Sequence, residues 1–248
     1  ALVAEGNAVC TQCHKSETYD APTHHRHLAT STGSACVACH MPSQVYMGVD
    51  ARRDHSMRIP RPDVSLSTGS PNACTQCHED QTDSWAYEAL QQWGVSTDFQ
   101  ELSLVKARFA ADRGDVRSLP TLESVVTDDE RSSLMRASLI EQLGNLGSRQ
   151  LPSLTAMLLR ADAPELRASA VRATRSMPPA QRYLMLRPFI SDPVLTIRME
   201  VAQVLAGVPA SELRPQDIDD LKPLFEEYLA VQANHLDMPS VHMRLRRK

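Results

Sequence analysis

Two patterns of apolar and polar residues divide the chain near residue 82. Up to that point the apolar stretches are short, and turn-forming groups such as Pro60-Arg61-Pro62 interrupt them. Roughly 80 residues of this kind bury too little apolar surface to fold alone, so this part needs a further source of core. Beyond residue 82, apolar residues recur at helical spacing, which predicts a helical region.

The helical region is repetitive. Segments 134–139, 165–170 and 196–201 align so that each carries an arginine at the same position, and each is followed by apolar residues at helical spacing. A Gly or Pro stop follows each copy, and the turns Asp162-Ala163-Pro164 and Asp192-Pro193 open two of the helices. The arginines are Arg136, Arg167 and Arg198, which are equally spaced, and the stops are Gly147, Pro178 and Pro209.

The arginines recur every 31 residues. A period of this length with two helices per unit is typical of an α-solenoid. Residues 100 to 210 resemble HEAT repeats, in which an Asp-Pro turn often opens the second helix and an arginine follows shortly after. An irregular helical bundle is the alternative interpretation. The segment after residue 215 resembles the opening of a tetratricopeptide unit.

Every cysteine of the chain belongs to a Cys-x-x-Cys-His motif, and the motif occurs three times. This is the pattern of covalent c-type haem attachment. Two thiols three positions apart reach the two vinyl groups of one porphyrin, and the following histidine binds the iron. The attachment residues are Cys10, Cys13, Cys36, Cys39, Cys74 and Cys77, and the proximal ligands are His14, His40 and His78.

Zinc binding and disulfide pairing are the rival interpretations of these cysteines. Zinc ribbons pair one Cys-x-x-Cys with another and need no histidine directly after each pair. A disulfide framework does not require that histidine either. The histidine after all three pairs therefore favours three covalent haem c groups.

The motifs complete the predicted organisation, a mainly α fold in three parts. Residues 1–82 are predicted to form a trihaem cytochrome c domain with little regular structure, in which the haem groups supply the core and without which this domain is unfolded. Residues 83–215 form a HEAT-like α-solenoid, and residues 216–248 begin a tetratricopeptide-like unit.

Composition limits partners and location. The net charge of -4 argues against a nucleic-acid partner. No run of 18 or more apolar residues exists, so no membrane span is expected. Because c-type haem is attached outside the cytoplasm, we expect a periplasmic or extracellular protein whose precursor carried a signal peptide.

The sixth ligand of each iron decides between electron transfer and substrate binding. Four of the six remaining histidines lie at or before position 55, close to the motifs, which favours bis-His haem groups. His55 is flanked by arginines that could pair with haem propionates, and His24 and His27 rank above His25. His235 and His242 are expected to be ordinary surface residues. The sulfur alternatives are Met41, Met47 and Met57.

Three stretches also carry a family resemblance: ACVACHMP at 35–42, DARRDHSMRIPRPD at 50–63 and PNAC at 71–74. They resemble multihaem cytochromes c related to the pentahaem nitrite reductases and hydroxylamine oxidoreductases, in the subset with C-terminal HEAT and tetratricopeptide repeats. The resemblance covers residues 5 to 95 closely and implies that His55, His24 and His27 are distal ligands. Members of that family usually carry further motifs upstream, so we expect a fragment or a shortened chain that is completed by a partner.

The leading functional hypothesis is electron transfer along a row of three haem groups, with the helical repeats as a docking scaffold. Redox partner proteins or further haem-bearing chains would be the partners, and the repeats could also join copies into a larger assembly. The alternative is a haem oxidoreductase acting on small nitrogen or sulfur oxyanions, with Arg52, Arg53 and His25 near an open iron. The histidine supply makes an electron carrier the stronger hypothesis.

Overall fold

The structure is a computed structural model, and it describes residues 4–95, 101–234, 237–239 and 241. These residues are mainly helical with one two-stranded sheet, which confirms the mainly α prediction. The chain divides into two compact units, Ala1–Lys106 and Ala107–Lys248, and each is treated separately below. Among the described residues, no helix combines the length and the apolar character needed to cross a bilayer.

The first unit consists of short elements. Two 3-10 segments, Gly6–Val9 and Thr32–Ser34, precede two of the cysteine motifs. Strands β1 (Ser43–Tyr46) and β2 (Asp50–Arg53) form an antiparallel hairpin. The turn of this hairpin places Met47 and Gly48 at positive φ, the backbone that matches the twist of paired strands. The helices are α1 (Ser16–Tyr19), α2 (Pro22–His25), α3 (Cys36–His40), α4 (Pro62–Thr68) and α5 (Asp83–Gln92).

No apolar core exists among described residues 4–82. The only buried side chains there belong to Pro62, Asp63, Ser65 and Asn72, of which three are polar. Large apolar side chains are left exposed instead, since Val49 is 89 % exposed. Others exposed in this stretch are Leu28, Val45, Met47, Met57 and Ile59. Main-chain hydrogen bonds and polar side chains therefore hold these residues, and burial of apolar area contributes little.

The second unit is built from longer helices. Helix α10 packs against both α8 and α12, while α7 packs on α8, α9 on α8 and α10, α11 on α12, and α13 on α12. Short 3-10 segments, such as Thr174–Ser176, extend some of the helix ends. Helix α6 (Leu102–Ala111) begins before the division at Lys106 and continues past it. The other helices are α7 (Leu119–Thr127), α8 (Ser133–Asn145), α9 (Leu151–Leu158), α10 (Pro164–Ala173), α11 (Pro179–Leu186), α12 (Leu195–Leu205) and α13 (Pro215–Ala233).

The helix starts follow the predicted period and extend it. Helices α8, α10 and α12 begin at Ser133, Pro164 and Leu195, which are spaced as evenly as the repeated arginines. Helix α6 begins one further period upstream, at Leu102. The arginine signature does not reveal this fourth copy, because Val105 occupies the position of the repeated arginine.

The predicted start and stop signals lie where the helices begin and end. Pro164 is the first residue of α10, and α12 begins two residues after Asp192-Pro193. Gly147, in the left-handed conformation at φ +70, follows the end of α8. Residues at helical spacing on the inner faces are fully buried and form an apolar core, which includes Leu122, Leu139, Ile140, Leu143, Leu158, Val171, Leu186, Ile197, Val201 and Leu205.

The repeated arginines donate to main-chain carbonyls in the last turn of the preceding helix or in the turn that follows it. Carbonyls at a helix end and in a turn lack a helical partner, so a guanidinium that reaches them stabilises the turn. Arg136 donates to the carbonyl of Val126 at 2.9 Å, Arg167 to those of Ala161 and Asp162 at 2.9 Å each, and Arg198 to that of Asp192 at 2.7 Å.

Two of these arginines also pair with an acidic residue of the next helical pair. Arg167 pairs with Asp192 at 3.2 Å, and Arg198 pairs with Glu227 at 2.5 Å. One residue type at one repeat position thus joins successive pairs of helices. This explains why the period is clearest at the arginine.

The segment expected to open a tetratricopeptide unit contributes one long helix, α13. Residues 235, 236, 240 and 242–248 lie outside the described residues. His235, His242 and the basic end of the chain are among them.

Removal of the Arg167 side chain tests the role of the repeated arginine. Arg167 and Asp192 are 12 % and 5 % exposed, so Arg167→Ala leaves a buried carboxylate without its partner. We expect the free energy of unfolding of the helical unit to fall by about 3 kcal/mol. Urea denaturation followed by far-UV circular dichroism measures it. Arg160→Ala, at an exposed arginine, is the matched control. Equal urea midpoints for the two variants would contradict the stabilising role of Arg167.

Candidate haem-attachment sites

Each cysteine motif forms about one turn of helix. The amide of His14 donates to the carbonyl of Cys10 at 3.0 Å, and the amide of His78 donates to that of Cys74 at the same distance. The second motif is itself helix α3. On one helical turn, residues three positions apart lie on the same face. Each pair of thiols is therefore placed on one side of its turn, with the histidine next in the chain.

Two asparagines hold the turns of the second and third motifs. The side-chain oxygen of Asn7 accepts a hydrogen bond from the amide of Cys36 at 2.9 Å, and that of Asn72 accepts one from the amide of Cys74 at 3.0 Å. Asn7 also donates to Asp20 at 2.7 Å, which ties the first motif to the chain that follows it. Sequence reasoning missed both residues. The Asn72-Ala73-Cys74 spacing could have indicated an Asx turn, whereas the Asn7 contact joins segments far apart in the chain and left no local signal.

The six thiols are free, and three of them interact with a thiol of another motif. Burial raises the pKa of the Cys36, Cys39 and Cys74 thiols, and neighbouring thiols raise it further. The neighbour is Cys10 for Cys36 and Cys77 for Cys39. The second motif thus has one thiol beside the first motif and the other beside the third.

The imidazoles of His24 and His40 form one pair. Their ring centres are 6.2 Å apart, and their planes are 13° from parallel. His40 donates from Nδ1 to the main-chain carbonyl of Arg58 at 2.8 Å, so its Nε2 is left as the basic nitrogen. Burial, followed by the charges of His40 and His25, lowers the pKa of His24. The lowered pKa favours the neutral form of His24, which is the form that binds a metal.

The imidazoles of His27 and His78 form a second pair, with ring centres 6.0 Å apart and planes at 37°. His27 donates from Nδ1 to the main-chain carbonyl of His25, which again leaves Nε2 as the basic nitrogen. Its ring packs on the backbone of Gly33, where a Cβ atom would lie 2.7 Å from Nε2 and closer still to Cδ2. A side chain at position 33 is therefore incompatible with this ring position.

The spacing of these pairs matches a shared metal ion. Two imidazoles bound to opposite sides of one metal have ring centres about 6 Å apart, since each metal–nitrogen bond is about 2.0–2.1 Å long and each ring centre lies about 1 Å beyond its nitrogen. Each pair joins a motif histidine to a histidine from the 24–27 segment. The chain thus brings together the residues that the sequence proposed as proximal and distal ligands of two irons.

The Nδ1 of His25 accepts a hydrogen bond, whereas the Nδ1 atoms of His27 and His40 donate one. Its Nδ1 accepts from the amide of His27 at 3.1 Å, so its proton is on Nε2, and that nitrogen cannot bind a metal. Between the two, Arg26 adopts the left-handed conformation at φ 58. This turn sends His24 and His27 to different motifs.

His55 lies apart from these pairs. Its side chain is exposed, and Nδ1 donates to the carbonyl of Arg53 at 2.8 Å, which leaves Nε2 free. The arginines expected beside haem propionates have protein partners, since Arg52 pairs with Asp50 at 2.7 Å and Arg53 donates to the carbonyl of Met41 at 3.1 Å. The Nε2 of His55 is therefore available for a ligand, and among the described residues no motif histidine lies against its ring.

Two aromatic residues that the sequence did not indicate contact the motif histidines. Tyr19 lies edge-on to His14, with ring centres 5.4 Å apart. Trp85, in the first turn of α5, lies 4.8 Å from the ring of His78. Among the described residues, the His14 ring contacts Tyr19 but no second imidazole.

The rival zinc interpretation finds no support in the described part of the chain. There, no three or more His, Cys, Asp and Glu side chains converge on a common point that could hold a metal ion. The histidine pairs need no such cluster, because a haem iron takes four of its ligands from the porphyrin and at most two from the protein.

Comparisons of this chain with protein-family models, with curated proteins and with solved structures find no match. The assignment of these residues consequently rests on their own chemistry and geometry.

Proposed function

We propose that this chain is a multihaem cytochrome that transfers electrons through three covalently bound haem c groups. The observation that carries the proposal is the pair of imidazole contacts, His24 with His40 at 6.2 Å and His27 with His78 at 6.0 Å. Each pair combines a Cys-x-x-Cys-His histidine with a histidine from elsewhere. Neither distance follows from the spacing of the residues along the chain.

The residues of the three motifs and their surroundings fit covalently bound haem c. Free thiols stand in pairs on one helical turn, basic Nε2 atoms are left on His27 and His40, and residues 4–82 lack an apolar core of their own. When bound, haem c supplies one-electron redox chemistry at its iron and a large apolar surface. Cys10, Cys13, Cys36, Cys39, Cys74 and Cys77 would hold the three groups, with His14, His40 and His78 as proximal ligands.

The chain's own residues then set the properties of each site. With haem bound, His24 and His27 would each be the second histidine ligand of one iron, and bis-His coordination favours electron transfer over substrate binding. The carbonyls of Arg58 and His25 fix the tautomers of His40 and His27 and would make these ligands more basic. The Nε2 of His55 would be a further iron ligand.

The second unit is proposed to be a HEAT-like α-solenoid that docks or assembles partners. Evenly spaced helix starts, the packing of α8, α10 and α12, and the repeated arginines support this interpretation. The partners would be redox proteins or further haem-bearing chains, in the periplasm or outside the cell. The family resemblance to pentahaem nitrite reductase-related cytochromes belongs to the same proposal.

One observation favours a second candidate function. Among the described residues, the imidazole of His14 lies against Tyr19 and not against a second imidazole. A haem held by the first motif would therefore be the one able to bind a substrate if neither His55 nor another chain supplied a ligand. An open iron would suit a haem oxidoreductase acting on small nitrogen or sulfur oxyanions. Of the arginines suggested as a clamp, Arg52 pairs with Asp50 at 2.7 Å and Arg53 donates to the carbonyl of Met41 at 3.1 Å.

The proposed function is tested by histidine substitutions in the haem-loaded protein. His24→Ala and His27→Ala each remove one distal ligand, so each should convert one low-spin haem to high-spin. The matched control is His25→Ala, which removes an imidazole that is not a ligand and should leave the spin state unchanged. Electron paramagnetic resonance and absorption spectra measure the result. Two results would contradict the proposal. One is a wild-type protein that retains no haem after denaturation, and the other is a His25→Ala spectrum that changes as much as those of His24→Ala and His27→Ala.

Substitution of Gly33 tests the second pair without removing a ligand. A Cβ atom in Gly33→Ala would overlap the His27 ring, so this ring should lose its position opposite His78. We expect one haem to become partly high-spin while three covalent haem groups remain. Thr32→Ala, at the exposed neighbouring residue, should keep the wild-type spectrum. Identical spectra for Gly33→Ala and wild type would show that His27 does not occupy this site.

A further inference from the structure

Tyr19 lies between two imidazoles that the proposed function assigns to different irons. Its ring is edge-on to His14, with centres 5.4 Å apart and planes at 75°. It is also edge-on to His24, with centres 5.5 Å apart and planes at 80°. Edge-to-face contacts at these distances are favourable and define the orientation of both partners. The rings of His14, Tyr19, His24 and His40 therefore form a continuous row.

The backbone fixes Tyr19 in this row. The residue ends α1, and its amide donates to the carbonyl of Lys15 at 3.0 Å. The next residue, Asp20, accepts a hydrogen bond from Asn7 at 2.7 Å. Asn7 also accepts from the amide of Cys36. One set of hydrogen bonds thus links Tyr19 to both the first and the second motif.

The row joins two haem sites through their axial ligands. His14 is the proximal ligand of the first motif, and His24 is assigned to the iron bound by His40. Only Tyr19 contacts both rings among the described residues. The Cys10 and Cys36 thiols, which would hold the haem groups of these two sites, are also neighbours.

We propose that Tyr19 is a positioning residue that sets the orientation of the His14 and His24 imidazoles and thereby couples the first and second haem sites. The proposal rests on the proposed function. When bound, the haem groups would exchange one electron, with one iron oxidised as its neighbour is reduced. No bond forms or breaks at Tyr19.

The test compares Tyr19→Leu, which removes the aromatic edge, with Tyr19→Phe, which keeps it. The haem-loaded protein is followed by electron paramagnetic resonance and by flash reduction that records electron redistribution between the haem groups. Tyr19→Leu should shift the low-spin signals of two haem groups and slow redistribution several-fold, with three covalent haem groups retained. Tyr19→Phe should restore wild-type behaviour. Tyr46→Leu is the matched control, because Tyr46 is an exposed tyrosine stacked on Arg52 and contacts no imidazole among the described residues.

Two results would overturn the proposal: wild-type signals and rates in Tyr19→Leu, or an equal change in Tyr19→Phe, which would assign the effect to the hydroxyl. If Tyr19→Leu binds fewer than three haem groups, Tyr19→Met provides the same comparison with a more adaptable apolar side chain. Failure of the proposed function itself is distinguishable, because the wild-type protein would then carry no covalent haem.

Discussion

The absence of an apolar core in described residues 4–82 is the constraint on which the account of the first unit depends. Three of the four side chains buried there are polar, while apolar side chains such as Val49 and Met47 face outwards. Short helical turns and one hairpin cannot offset the conformational entropy of so many ordered residues. Covalent haem would supply the missing apolar surface and fix the motifs at both thiols. In this account the cofactor is both the redox centre and the core.

Given that constraint, a few backbone features decide which histidine reaches which motif. The left-handed turn at Arg26 separates His24 from His27, and the bare backbone of Gly33 leaves room for the His27 ring. Hydrogen bonds to main-chain carbonyls select the tautomers. The 24–27 segment therefore serves two sites at once, which brings the second and third motifs together and leaves Tyr19 between the second and the first.

The helical unit could largely be read from the sequence, because its signals are local. Apolar periodicity, Pro164 and Gly147 place helix starts and stops, and the repeated arginines define the period. Helix α6 lies in the region predicted to be helical, but it was not recognised as a copy of the repeat because Val105 replaces the arginine. In the first unit the motif residues were predictable, whereas the pairing of His24 with His40 and the contacts of Tyr19 were not. The histidine pair joins two separate segments, and the Tyr19 contacts depend on side-chain orientation in short turns, so neither produces a recurring pattern in the sequence.

Amide hydrogen exchange of the full chain, prepared with and without covalent haem, tests the central claim most directly. The account predicts that residues 4–82 exchange without protection when haem is absent and become protected when three haem groups are attached. Residues 107–234 should stay protected in both preparations, because their core consists of their own apolar side chains. Strong protection of residues 4–82 in the haem-free chain would contradict the account, since that stretch would then fold without the proposed cofactor.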